Sequence, residues 1–229
     1  MFTRKNIGLL LNIIVGLASF TGVILGFINA TNEGFNHFSQ RLLYFTTLSN
    51  IWIGVVCILI SIGLILENIF KKEVLKNYIY VLKYIFTISI TVTGIVFCFL
   101  LAPFADFNVW TASSILTHVV VPVTAVMSYF VEVPLKPMNK KYVWFSLIPP
   151  FVYFIFGIIL SAFKVDFGRG QTYPYFFMNF ESEVGLFGFK TEGLFEMGCV
   201  YWIIIILLFI LGISRVYYKL HSVNKKNEK

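Results

Sequence analysis

Residues 43–66 read LYFTTLSNIWIGVVCILISIGLIL and contain no charged side chain. An α-helix rises about 1.5 Å per residue, so about 20 apolar residues cross the roughly 30 Å hydrocarbon core of a bilayer. The run does not alternate apolar and polar residues, as the strands of an outer-membrane barrel do. It therefore predicts a transmembrane helix.

Apolar runs of similar length recur along the 229 residues, of which 58% are hydrophobic and 13% charged. A soluble domain needs more charge to cover its surface, and the mean hydropathy of +0.83 excludes that class. We predict an all-α integral membrane protein, with residues 1–229 forming one six-helix transmembrane domain. The first span follows Arg4 and Lys5 without a small-residue cleavage site, which favours a retained anchor over a signal peptide. The predicted spans are approximately 7–28, 43–66, 78–101, 113–133, 142–163 and 194–217.

Basic residues predict the orientation of this bundle. Of the 18 Lys and Arg, 14 lie in the terminal segments or near the second and fourth connections. The positive-inside rule then places both termini in the cytoplasm, with residues 218–229 as a basic cytoplasmic tail. The net charge of +7 is thus a topology signal, and no nucleic-acid partner is predicted.

Cysteine usage and overall composition indicate whether a metal site is present and in which membrane the protein lies. Cys57, Cys98 and Cys199 all lie in apolar runs without the spacing of a zinc site, so we predict neither a metal nor a cofactor. The abundance of Ile, Phe, Asn and Lys is typical of low-GC bacteria. This composition predicts a multi-pass protein of the bacterial plasma membrane.

The connection between the fifth and sixth spans, residues 164–193, is long and rich in aromatic side chains. Loops of this length are usually functional or disordered, and the aromatic content argues against disorder. One interpretation is a lid or re-entrant cap over a cavity, formed by Tyr173, Pro174, Tyr175 and Phe176. The alternative is an interfacial aromatic belt.

Polar groups inside the spans are the candidates for chemistry, because they are costly there and tend to face the bundle interior. Thr46 and Asn50 share one face of the second span, and His118 is the one histidine of three within a predicted span. Both spans run inward, which places Thr46 and His118 at the same depth. A neutral imidazole is well suited to activate a threonine hydroxyl. Pro122 has no N–H for the carbonyl of His118, so that carbonyl is freed.

Each candidate also has a structural interpretation. Thr46 and His118 can serve as helix-packing contacts, since Ser, Thr, Asn and His often join transmembrane helices. Glu196 can orient His118 or, as we favour, extend to the interface. Lys83 and Glu132 are expected at headgroup level. Gly16, Gly22 and Gly26 are expected to permit close packing of the first span.

Short motifs in the chain resemble the bacterial six-pass Pr-six-Pr family. These are Tyr44-Phe45-Thr46, Leu116-Thr117-His118 with Pro122, and Tyr173-Pro174-Tyr175. That family is similar to the androgen-induced membrane hydrolases, which cleave fatty acid esters of hydroxy fatty acids with an intramembrane threonine and histidine. The resemblance implies a nucleophile at Thr46 and a histidine at His118, with Thr47 as the counterpart if the register shifts by one. Phe176 replaces a second proline, and Val121 stands where the animal enzymes have a second histidine.

These observations lead to one functional hypothesis and two alternatives. We hypothesise an intramembrane threonine hydrolase of lipid-like esters, with membrane lipids and an acyl-chain substrate as its partners. Asn50 or a free backbone N–H would stabilise the oxyanion. A small transporter or channel is disfavoured because intramembrane charges for ion coupling are not evident. A non-catalytic lipid-binding protein is the third possibility.

Overall fold

The computed structural model describes residues 4–105, 108–132, 138–191 and 197–227. Within these ranges six helices are long and apolar enough to cross a membrane, which confirms the prediction of a six-span helical protein. No strand forms in the described residues, where a single bridge pairs Phe189 with Met197. The helices are α1 (Arg4–Ile28), α2 (Phe45–Phe70), α3 (Asn77–Leu101), α4 (Ala112–Val131), α5 (Tyr142–Ala162) and α6 (Cys199–Asn227).

Several helix boundaries differ from the predicted ones. A 3-10 turn, Phe38–Leu43, precedes α2, so this helix begins at Phe45 instead of Leu43. The last helix continues to Asn227, and the described part of the predicted tail is therefore helical. No Gly or Pro interrupts this basic segment, and basic side chains are favourable at a helix C-terminus. The predicted boundaries at residues 133 and 194 lie outside the described residues.

The first four helices form the centre of the bundle. α1 packs against α2 and α4, while α3 packs against α2, α4 and α6. The predicted close packing of α1 is confirmed at its glycines. A Cβ on Gly22 would lie 2.7 Å from Thr117 Cγ2, and one on Gly16 would lie 2.7 Å from Ile58 Cγ1. A larger residue at either position would push α1 away from its neighbours.

The long loop between α5 and α6 has two parts, which differ in the burial of their side chains. In its first part, Phe167 and Met178 are fully buried and Phe177 is 5% exposed. In its second part, Phe187 and Phe189 are 65% and 71% exposed. The first part thus packs into the bundle, whereas the aromatic rings of the second part are exposed. We call this end of the bundle, where α2 begins, the loop end, and the opposite one the terminal end.

A layer of apolar side chains crosses the centre of the bundle. Its six members come from α1 to α4, and each is 0% exposed: Val15, Ile53, Cys57, Ile90, Val121 and Ala125. Polar residues flank this layer on both sides along every one of the four helices. The apolar layer therefore separates the two ends of the bundle in this conformation.

A buried ionic cluster lies on the terminal side of the apolar layer. Lys83 is 1% exposed, and its Nζ lies 2.7 Å from Glu132 Oε2, from Asn12 Oδ1 and from Ser128 Oγ. Asn12 Nδ2 also donates to Glu132 Oε1. Lys83 and Glu132 therefore form a buried ion pair between α3 and the end of α4, instead of extending to water as charges at headgroup level would. This buried pair of charges was not included in the argument against a transporter.

We predict that Lys83→Met strongly destabilises the protein, since it leaves Glu132 buried without its counter-charge. Removing one partner of a buried ion pair costs roughly 3–5 kcal/mol, which corresponds to a decrease in Tm of about 10 °C. The double variant Lys83→Met/Glu132→Leu should recover most of this loss. Thermal unfolding of purified protein measures both effects.

The matched control is Lys5→Met, because Lys5 forms an ion pair with Glu67 at 3.4 Å while its side chain is 45% exposed. Exposed pairs contribute little, so its Tm should change by no more than about 2 °C. Equal losses in Lys83→Met and Lys5→Met would contradict a stabilising role of the buried cluster.

Candidate functional site

A chamber of about 700 Å³ opens at the loop end of the bundle. Its walls come from α1, α2, the end of α3, the start of α4, the loops that follow α1 and α3, and the first part of the long loop. Hydroxyl, amide and charged groups are numerous among its lining residues, unlike those of the apolar layer below it. The polar side chains that line it include Asn29, Asn32, Glu33, Arg41, Tyr44, Thr46, Thr47, Thr111, Ser113, Ser114, Thr117, His118, Arg169, Gln171, Tyr173 and Tyr175.

Thr46 lies in the first turn of α2, where backbone N–H groups have no partner within the helix. Its N–H donates to Tyr175 Oη at 3.3 Å, and its Oγ1 lies 3.3 Å from the same oxygen. Burial raises the pKa of the Tyr175 phenol above its ordinary value. The phenol is therefore protonated at neutral pH and can donate a hydrogen bond beside the Thr46 hydroxyl.

A second, apolar pocket of about 50 Å³ lies next to Thr46, between α2, α3, α5 and α6. Its lining is dominated by side chains such as Val92, Phe154 and Ile206. Thr46 borders both this pocket and the polar chamber, whereas Thr47 lines the chamber and is not among the residues of the pocket. This position distinguishes the two neighbouring threonines.

His118 lies in a π-helical turn of α4, Leu116–Val120. Its Nδ1 is 2.9 Å from the carbonyl oxygen of Ser114, which can only accept, so we assign the proton to Nδ1. The other nitrogen, Nε2, is then the acceptor of the neutral ring. Phe97 stacks on the imidazole with ring centroids 3.6 Å apart and an interplanar angle of 15°. These two contacts fix the plane of the ring in the chamber wall.

Pro122 does not line the chamber but shapes the helix that carries His118. Because proline crowds the carbonyl four residues earlier, the helix widens into the π-turn before it. The carbonyl of His118 instead faces Gly94 of α3, where a Cβ would lie 2.9 Å from that oxygen and 3.0 Å from Pro122 Cβ. Gly94 thus permits the close approach of α3 that brings Phe97 onto His118.

The structure separates the other predicted residues into two groups. Tyr173, Pro174, Tyr175 and Phe176 all line the chamber, as a lid would. Asn50 does not line it: its Nδ2 donates to the carbonyls of Thr46 at 2.8 Å and Thr117 at 3.2 Å.

The suggestion that Asn50 supplies the oxyanion donor is therefore wrong, because its amide is already used to join α2 to α4. Glu196 lies outside the described residues.

Thr46 and His118 line the same chamber and have no helix between them, since Asn50 links their helices directly. Among the described residues they share no hydrogen bond, because Thr46 Oγ1 contacts Tyr175 and His118 Nδ1 contacts Ser114. Tyr175 is the functional candidate whose role sequence reasoning missed. Its place in a Tyr-Pro-Tyr motif predicts a lid, and no spacing rule links it to Thr46. Within the described ranges, no three His, Cys, Asp or Glu side chains are grouped as metal ligands.

No family model, curated protein or solved structure matches the chain. The resemblance to the Pr-six-Pr family consequently stays a prediction. The candidate site depends on its own geometry: a hydroxyl at the border of two cavities, an oriented imidazole in the wall of one of them, and a phenol from the loop above.

We predict that Gly94→Ala lowers the Tm by about 5 °C, because the added methyl group forces α3 away from His118 and Pro122. Overpacking of this kind costs roughly 1–3 kcal/mol. Gly212→Ala is the control, since a Cβ there meets no atom within 4 Å. Alanine has the higher helix propensity, so this control should keep or raise the Tm. A Tm of Gly94→Ala equal to that of the wild type would show that the approach of α3 is not tight.

Proposed function

We propose that the protein is an intramembrane hydrolase of lipid-like esters, with Thr46 as nucleophile and His118 as general base. One observation carries this proposal: Thr46 lies at the border between a polar chamber and an apolar pocket, and His118 lines that same chamber. An ester of an acyl chain has matching parts, since its chain is apolar and its alcohol part is polar. The ester carbonyl then lies beside Thr46.

The proposed orientation places the loop end outside the cell and both termini in the cytoplasm. The distribution of 14 of 18 basic residues supports this orientation. The chamber then faces the outer leaflet, from which a lipid reaches Thr46 without crossing the membrane. The plasma membrane of a bacterium is the proposed location.

The proposed reaction has two steps with His118 acting in both. Thr46 Oγ attacks the ester carbonyl carbon while His118 Nε2 accepts the hydroxyl proton, and the bond to the alcohol oxygen then breaks as His118 returns the proton to it. A water molecule next attacks the acyl-threonine ester with His118 again as base. The second step releases the fatty acid and restores the Thr46 hydroxyl.

The oxyanion donors proposed for this reaction are the Thr46 N–H and the Tyr175 O–H. Tyr175 Oη accepts the Thr46 N–H at 3.3 Å, so its oxygen lies where a carbonyl oxygen would accept the same hydrogen bond. The entering ester takes that place, and the protonated phenol turns its O–H toward the developing negative charge. The N-terminus of α2 adds a favourable dipole at this position.

Transport is the second candidate function, and the buried Lys83–Glu132 pair favours it. Ionisable residues inside a helical bundle often mark an ion or proton pathway. In that case the apolar layer is a closed gate and the chamber is an open vestibule. The two candidates differ at Lys83 and Glu132, because the hydrolase does not use them chemically, whereas a coupled transporter does.

We predict that purified protein hydrolyses p-nitrophenyl esters of medium-length acyl chains and that Thr46→Ala and His118→Ala abolish this activity. A nucleophile and base that act as a unit are non-additive, so the double variant should be no slower than the slower single variant. Tyr175→Phe should lower kcat by about a hundredfold through loss of an oxyanion donor. The rate of p-nitrophenol release measures all four variants.

Thr47→Ala is the matched control, since Thr47 is the neighbouring hydroxyl in the same chamber. An acyl-fluorophosphonate should label the wild type and Thr47→Ala but not Thr46→Ala. Labelling lost only in Thr47→Ala would move the nucleophile by one residue. Correct folding with neither hydrolysis nor labelling would favour transport or lipid binding.

We predict that a cysteine at Ser182, in the long loop, reacts with a membrane-impermeant maleimide in intact cells. Cys57, Cys98 and Cys199 are first replaced by serine or alanine. A cysteine at the exposed Asn139, in the connection between α4 and α5, should react only after the cells are permeabilised. The reverse pattern would overturn the proposed orientation.

A further inference from the structure

Charged side chains are unevenly distributed in the wall of the chamber. Among its lining residues Arg41 and Arg169 are cationic and Glu33 is the one carboxylate. Other polar groups in the wall are neutral, and several carry N–H donors, as in Asn29 and Gln171. With one carboxylate for two guanidinium groups, the described wall has a net positive charge.

The two arginines are held next to each other by the first loop. Their Cζ atoms lie 4.8 and 5.0 Å from the ring centroid of Phe35. Glu33 pairs with both arginines, and its Oε2 lies 3.9 Å from Arg169 Nη2. Gly168 makes this arrangement possible, because a Cβ there would lie 2.4 Å from Phe35. Arg41 Nε is buried and has no hydrogen-bond partner in the described structure. The two guanidinium groups are thus preorganised, and Arg41 Nε remains able to donate a hydrogen bond to a ligand.

Two helices begin at this chamber and add to its positive potential. Thr46 and Thr47 belong to the first turn of α2, while Ser113 and Ser114 belong to the first turn of α4. Helix N-termini carry a partial positive charge and favour anions. The two helix N-termini and the two guanidinium groups thus raise the electrostatic potential of the same space. An ion pair between two loops would not need this additional positive potential.

We propose that the chamber binds the anionic oxyacid head, carboxylate or phosphate, of a single-chain amphiphile through Arg41 and Arg169. Guanidinium groups match the geometry of both oxyacids. The chain extends past Thr46 into the apolar pocket. This inference rests on the proposed function in taking the chamber as the substrate site, and it adds the charge of the substrate that the site selects.

The test is the binding of matched amphiphiles to the full-length protein in phosphatidylcholine nanodiscs, measured by titration calorimetry with empty nanodiscs subtracted. The probes are octyl phosphate, octanoate, octanol, octyltrimethylammonium and inorganic phosphate. We expect octyl phosphate or octanoate to bind at least about tenfold more tightly than octanol. Octyltrimethylammonium should bind no more tightly than octanol, and inorganic phosphate more weakly than octyl phosphate.

Two variants test whether the preference for anionic probes comes from Arg41 and Arg169. Arg41→Gln and Arg169→Gln should each reduce the preference for anionic probes about tenfold. Lys164→Gln should keep it, because Lys164 belongs to the same loop and is ion-paired with Glu181 at 2.7 Å, but does not line the chamber. If an arginine variant does not fold, the wild type still tests the inference. The anionic probes should bind more tightly than octanol, and added salt should reduce that difference in affinity.

Three outcomes would overturn the inference: equal binding of octanol and the anionic probes, binding of inorganic phosphate as tight as that of octyl phosphate, or an equal loss in Lys164→Gln. None of the probes is a carboxylic ester, so the outcome does not depend on hydrolysis. Selective binding without hydrolysis would refute only the proposed enzyme, and hydrolysis without selective binding would refute only this inference.

Discussion

The close packing of α1 against α2 and α4 is the constraint on which the other features depend. Lipid chains are as apolar as leucine, so helices in a bilayer associate through tight contacts and hydrogen bonds and not through exclusion of water. Gly22 brings α1 against Thr117, and the Ser113 hydroxyl donates to the carbonyl of Gly22 at 2.8 Å. The start of α4 is thereby held over α2. This packing places His118 and Thr46 in one chamber.

Three levels follow one another along the axis of the four central helices. A polar chamber opens at the loop end, the apolar layer around Ile53 and Ile90 follows, and the Lys83–Glu132 cluster lies beyond it. Each level has its own requirement. The chamber needs irregular backbone, supplied by π-turns and loops, whereas the apolar layer needs regular helices. The ionic cluster needs all its groups paired, and the Lys83 ammonium has three acceptors within 2.7 Å.

Sequence reasoning predicted the six spans because each apolar run is by itself long enough to cross the hydrophobic thickness of a bilayer. It also predicted that Thr46 and His118 lie at the same depth in the bundle, since depth follows from counting residues along a helix. Burial of Lys83 was not predicted, because it depends on which helices are neighbours. The available signal was that Lys83 and Glu132 have opposite charges at matching depth. Tyr175 was predicted as a lid residue but not as a partner of Thr46, because loop conformation does not follow from periodicity.

The position of Thr46 at the border of two cavities has a consequence for what happens after a bond is broken there. A molecule cleaved at this point is divided into one fragment that prefers water and one that prefers hydrocarbon. The first can leave through the chamber, and the apolar layer closes the direct route to the other face. The second already lies among side chains as apolar as the surrounding lipid. Partitioning alone therefore separates the two fragments, and this separation opposes their recombination.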